Sequence, residues 1–189
     1  MRFMNILAPT ALILASLSPI AYAHEHQHAH SLAAHQHGVA TVNIALDEQQ
    51  LILELQSPSM NIVGFEYHPR SAIDKQAVVD AEHALKNEQQ LFTMSNAAQC
   101  ILTAVHVDND LAEHSDTHQQ SAQDEDEHQH SDIQVSYQFN CAHPEKLKRI
   151  DLEGFFKTFP LTEKIHVQLI SADSQQGVDL SQSHTAVSW

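Results

Sequence analysis

The sequence predicts an α+β fold: antiparallel sheet with one main helix and a short second helix. Three observations predict it. Several segments alternate apolar and polar residues with period two, one long segment repeats near 3.6, and one long polar segment has no apolar period. The element order suggests two related ββαβ halves. Between them lies a His/Asp/Glu-rich hairpin loop, residues 111–130, expected to be disordered.

The elements follow in order. Val39 to Leu46 alternates as a strand, Asp47-Glu48-Gln49-Gln50 reads as a turn, and Leu51 to Leu55 as the returning strand. Ser57-Pro58-Ser59 breaks it. Met60 to Phe65, with Gly64 inside it, reads as a bend or a short strand. From Pro69 to Gln90, Ile73, Ala77, Val78, Ala81, Ala84 and Leu85 recur at helical spacing, with Ser71 or Asp74 as a cap. Cys100 to Val107 is a third strand. Ile133 to Cys141 is the next, with Ile133, Val135, Tyr137 and Phe139 on one face. Leu147 to Leu152 reads as a strand, Gly154 to Phe159 as a short helix, Lys164 to Ile170 as a strand and Ala186 to Trp189 as a last short one. The Phe155, Phe156, Phe159 group and Trp189 are expected in the core.

Cys100 and Cys141 are the two cysteines. In an exported chain such a pair reads as one disulfide, with two thiolate zinc ligands as the competing reading. If they face each other, their strands form an antiparallel hairpin. Leu102 then opposes Phe139, Ala104 opposes Tyr137 and His106 opposes Val135. Directly opposed Cβ atoms lie ~4.5–5.5 Å apart, whereas a disulfide prefers ~3.8 Å, so a stagger or bulge would ease the bond.

The N-terminus reads as an export signal over residues 1–23. Arg2 is the positive end, Ile6 to Leu17 is apolar but too short to span a bilayer, and Ala21-Tyr22-Ala23 is a small-x-small cleavage pattern. The expected organisation is then a His-rich segment, 24–37, and a single α+β domain, 38–189, in the periplasm. No later stretch is apolar enough to insert in a membrane. The formal charge of −15 disfavours nucleic acid and anionic lipid and attracts cations.

Most of the distinctive chemistry is histidine. The chain has 16. His24, His26, His28, His30, His35 and His37 fill the segment before the first strand. His114, His118, His128 and His130 lie in the hairpin loop among Asp and Glu. In extended chain, residues i and i+2 face the same way, so each His-x-His offers two imidazoles to one ion. Imidazole with carboxylate suits Zn(II), and no Met cluster argues for Cu(I). His35 and His37 abut the first strand and are the best candidates for an ordered site. Glu66 and His68 could complete it. If cleavage leaves His24 first, a free amine with His26 in third place would chelate copper or nickel. His83, His106, His143, His166 and His184 are expected to have ordinary surface or core roles. The bland reading of the head is a low-complexity linker. No His-Glu-x-x-His, Gly-x-Ser-x-Gly or glycine-rich phosphate loop is present, so no enzyme is expected.

The stretches HQHGVATVNIALDEQQLILELQSPSMNIVGFEYHP, LFTMSNAAQC, SDIQVSYQFNCAHPEKL and FFKTFPLTEKIHVQLI resemble the ZrgA-like periplasmic zinc-uptake proteins of Gram-negative bacteria. SPSMNIVGFE and FFKTFP are the more specific parts. The resemblance implies a periplasmic zinc-binding component that works beside an inner-membrane ATP-driven transporter. It places both His-rich segments in the metal function and matches His35 and His37 to the family's His-x-His-Gly. The alternatives are a metal buffer or efflux-linked chaperone for zinc, copper or nickel, and a zinc-dependent hydrolase.

Overall fold

A computed structural model describes residues 36–111 and 131–189. The expected signal, His24 to His35 and the loop histidines lie outside the described residues, as does the expectation of loop disorder.

The main sheet has six strands. They are β1 (Val39–Asp47), β2 (Gln50–Pro58), β4 (Cys100–Asn109), β5 (Asp132–Cys141), β7 (Lys164–Ser171) and β8 (Gln175–Ser181), in the order β4-β5-β2-β1-β7-β8. A small sheet joins β3 (Thr93–Met94), β6 (Arg149–Asp151) and β9 (Ala186–Ser188) in the order β3-β6-β9. Alternation decides which face is inside. Val42, Ile44, Leu51, Leu53, Leu55, Ile133, Val135, Tyr137, Phe139, Ile165, Val167 and Leu169 all point one way and are buried.

Helices cover that face. They are α1 (Ser59–Val63), α2 (Ala72–Lys86), α3 (Glu88–Leu91) and α4 (Glu153–Thr158). Ser71 caps α2 in a reciprocal capping box: its hydroxyl accepts from Asp74 N, and Asp74 accepts from Ser71 N. The end of α2 is pinned to the sheet, because the Tyr137 hydroxyl donates to the Leu85 carbonyl at 2.7 Å. Gly154 is obligatory for a different reason: a Cβ there would sit 1.9 Å from the Gln90 carbonyl oxygen, where α3 and α4 touch.

Six expectations change. The helices number four among the described residues, not two, and the sheet is mixed, because β1 and β7 run parallel. Met60 to Phe65 is neither bend nor strand: α1 covers Ser59–Val63 and ends at Gly64, which turns left-handed at φ +87°. The doubled ββαβ unit finds no support, since β6 belongs to the small sheet while β2 is central in the large one. The edge strand β8 was not expected, because Leu180 is its one buried residue.

The sixth change is the register of β4 on β5. Cys100 does oppose Cys141 and the two are joined by a disulfide, with Cα atoms 3.8 Å apart. Leu102 opposes Phe139, but a bulge at Thr103 then shifts the ladder. Val105 therefore opposes Tyr137, Ala104 opposes Gln138 and His106 opposes Ser136. The cause is apolar burial: Val105 and Val107 reach the core only if one residue is skipped. The Thr103 hydroxyl fastens the skipped residue by donating to the Gln138 carbonyl at 3.0 Å.

Candidate metal centre

The start of β1 is locked in place. Gly38 adopts φ +82°, a left-handed conformation that costs an L-residue ~1–2 kcal/mol. Its amide donates to Asn61 Oδ1 at 2.7 Å. Its carbonyl accepts from both Glu163 N and Lys164 N, at 2.8 and 2.9 Å. Asn61, on α1, is buried. Its amide nitrogen donates to the Val39 carbonyl at 3.0 Å and to Ser57 Oγ at 3.1 Å. One side chain thus fastens the chain on both sides of the Gly38–Val39 peptide. A buried amide without partners would be costly, and this one is engaged by both its oxygen and its nitrogen.

His37 is presented by this clamp. Its Nε2 lies 3.1 Å from Glu66 Oε1. The Glu66 side chain is 13 % exposed and the His37 side chain 52 %, so a sheltered carboxylate holds an accessible ring. Glu66 is itself anchored: the Ser131 hydroxyl donates to its carbonyl at 3.1 Å. The Ser131 carbonyl in turn accepts from Ser59 N at 2.9 Å. Leu111 packs with Phe65 and Val78 in a small apolar cluster.

The consequence is topological. His37 ends the first histidine-bearing segment, while Leu111 and Ser131 flank the second. All three are tied to Phe65–Glu66. Residues far apart in sequence bring both attachments to one corner of the sheet.

The remaining sequence candidates divide simply. His68 is exposed and makes no hydrogen bond or ion pair among the described residues, although it follows Glu66 by two positions. His24, His26, His28, His30, His35, His114, His118, His128 and His130 lie outside the described residues. Among the described residues, no three His, Cys, Asp or Glu side chains are already gathered as a metal shell. Asn61 and Ser131 were missed by sequence reading. The available signal was a lone amide within the apolar run Met60-Asn61-Ile62-Val63, which needed partners.

A second imidazole–carboxylate pair sits on the outer face of β7 and β8. His166 Nδ1 lies 2.5 Å from Asp179 Oδ1, and Lys164 Nζ lies 3.6 Å from the other oxygen. The hydrogen bond from His166 holds the Asp179 carboxyl below its usual range. With an ammonium group beside it, this pair is less suited to a cation than the corner.

The corner and the fold define a class: an α+β protein that holds an ordered imidazole–carboxylate pair where two histidine-bearing segments attach. The family model described as "ZrgA family zinc uptake protein" matches residues 34–189. The chain belongs to that family, and membership gives it a zinc-uptake role with Zn(II) as the ion concerned. No curated protein matches the chain with significance.

Proposed function

We propose that the protein captures Zn(II) in the periplasm through its two histidine-rich segments and passes it toward uptake, with His37 and Glu66 as the ordered nucleus. The carrying observation is the convergence of both segment attachments on Glu66, beside the His37 ring. Flexible ligands must be ordered when they bind, so a pre-placed pair lowers the cost of the first metal–ligand bonds. Two roles for Glu66 fit the contact. It holds the ring while Nδ1 binds the ion, or it rotates to become a ligand itself.

The remaining ligands in this reading come from His24, His26, His28, His30 and His35 on one side and His114, His118, His128 and His130 on the other. His68 is a further donor within reach by sequence. Export through residues 1–23 and delivery to an inner-membrane ATP-driven transporter complete it. No helix among the described residues is long and apolar enough to cross a membrane.

The test is zinc titration by calorimetry of the mature chain, of His37→Ala/Glu66→Gln, and of a variant lacking both histidine-rich segments. The tightest binding step should weaken at least tenfold in the double variant, and capacity should collapse in the deletion. Full capacity and affinity in both would defeat the reading.

A further inference from the structure

We propose that the groove at the start of β4 docks a partner protein, through an extended basic segment that adds to β4 as a further strand. The groove shares no residue with the His37–Glu66 corner and does not depend on the zinc reading.

The open backbone comes first. β4 ends the strand order of the main sheet, so among the described residues no strand lies on its far side. Hydrogen bonds beside the disulfide show which groups face that side. The Cys141 amide turns away from β4 and donates to the Gln49 carbonyl at 2.8 Å. The next amide, Ala142, donates to the Gln99 carbonyl at 3.3 Å. Antiparallel ladders alternate in this way, so Cys100 and Leu102 direct their own N–H and C=O groups away from β5. Natural edges are commonly blunted with lysine or proline, and Cys100–Asn109 contains neither. The bulge at Thr103 confines regular addition to Cys100–Leu102.

A groove of about 640 Å³ runs beside this short edge. Phe92, Met94, Leu102 and Phe139 give it an apolar wall. Thr93 and Met94 also line it, and they form β3, the edge strand of the small sheet. Ile101 is 70 % exposed beside it, an apolar side chain that an added strand would cover.

Charge selects the occupant. Glu88 is the one charged side chain lining the groove, and it makes no hydrogen bond or ion pair among the described residues. The chain carries −15, and β4 has no lysine or arginine to offset it, so a second copy is repelled and a basic segment attracted. In strand addition, main-chain hydrogen bonds supply affinity and alternate side chains supply specificity. Here one side chain of the segment enters the apolar groove, and a neighbouring lysine or arginine meets Glu88.

The experiment titrates the ¹⁵N-labelled mature chain with a short, end-blocked peptide alternating lysine with valine, at ~0.15 M salt. A peptide with glutamate in place of lysine is the control. The Cys100, Ile101 and Leu102 amides should shift saturably with the lysine peptide and stay still with the control. Glu88→Lys should weaken that binding at least tenfold. Shifts that miss Cys100–Leu102, equal binding of the two peptides, or unchanged affinity in Glu88→Lys overturn the proposal. Concentration-dependent dimerisation that moves the same amides without peptide also overturns it, by giving the edge to a second copy. The amide shifts of the unsubstituted chain keep the test independent of how the variant folds.

Discussion

The Glu66 corner and the trough on the outer face of the main sheet place polar side chains by opposite means. At the corner, side chains are fastened: Asn61 clamps Gly38, Glu66 holds His37, and Ser131 holds Glu66. In the trough, backbone register places Glu54, His106 and Asp108, and their side chains make no hydrogen bond or ion pair among the described residues. The lesson is that a sheet can specify where side chains stand without specifying how they point. Fastening lowers the ordering cost of binding, and register alone leaves the side chains still to be ordered.

Stability measurements can break that contrast. Asn61→Leu leaves Gly38 N and the Val39 carbonyl without their buried partner and should cost about 3 kcal/mol in urea unfolding. Ser136→Ala, at the centre of the trough, should cost no more than ~0.5 kcal/mol. Comparable losses would show that the corner is no better fastened than the trough. Gly38→Ala comes next, at about 1–2 kcal/mol for the left-handed backbone. Its new Cβ would also crowd the Glu163 side chain, at 3.3 Å. Zinc affinity should fall with it, because His37 moves off Glu66; unchanged affinity would detach the clamp from metal binding.

Acid separates metal loss from fold loss and is the smallest effect. Zinc should leave the imidazoles as pH falls below about 6, and occupancy unchanged at pH 5 would count against histidine ligation. The fold has its own acid sensitivity lower down. Burial pushes the Asp151 carboxyl up, but hydrogen bonds from Thr185, Arg149 and Glu153 N outweigh it and hold the group below its usual range. A lowered folded value stabilises the protein above the unfolded value of ~3.9, and that contribution disappears as pH falls through the folded value. Asp151→Asn should therefore lose less stability than the parent between pH 5 and pH 2. A larger loss in the variant would reverse the sign.

Much of the sheet was legible because burial on one face imposes period two. β1, β2, β5 and β7 follow from Val42, Leu53, Val135 and Val167 and their neighbours. The bulge in β4 was not legible, since Leu102-Thr103-Ala104-Val105 reads as strand in either register, and tertiary packing of Val105 and Val107 decides. α1 was misread because its short run owes its shape to Asn61 and to the turn at Gly64, neither of which has a period. β8 shows too little burial to read. At the corner, the His-x-His-Gly ending pointed to His35 and His37, with Glu66 and His68 as residues that could complete a site; the contact found among the described residues is His37 with Glu66. Ser131 carried no signal, and Asn61 only that of a lone amide in an apolar run, because the partners of each are distant in sequence.

In the proposed function, His37 paired with Glu66 is where zinc is first held. Substoichiometric Zn(II) added to the ¹⁵N-labelled mature chain tests it most directly. The His37 ring should respond in the first additions, ahead of the histidines at 24–30 and 114–130. A His37 ring that stays unmoved until those signals have finished changing would contradict the claim.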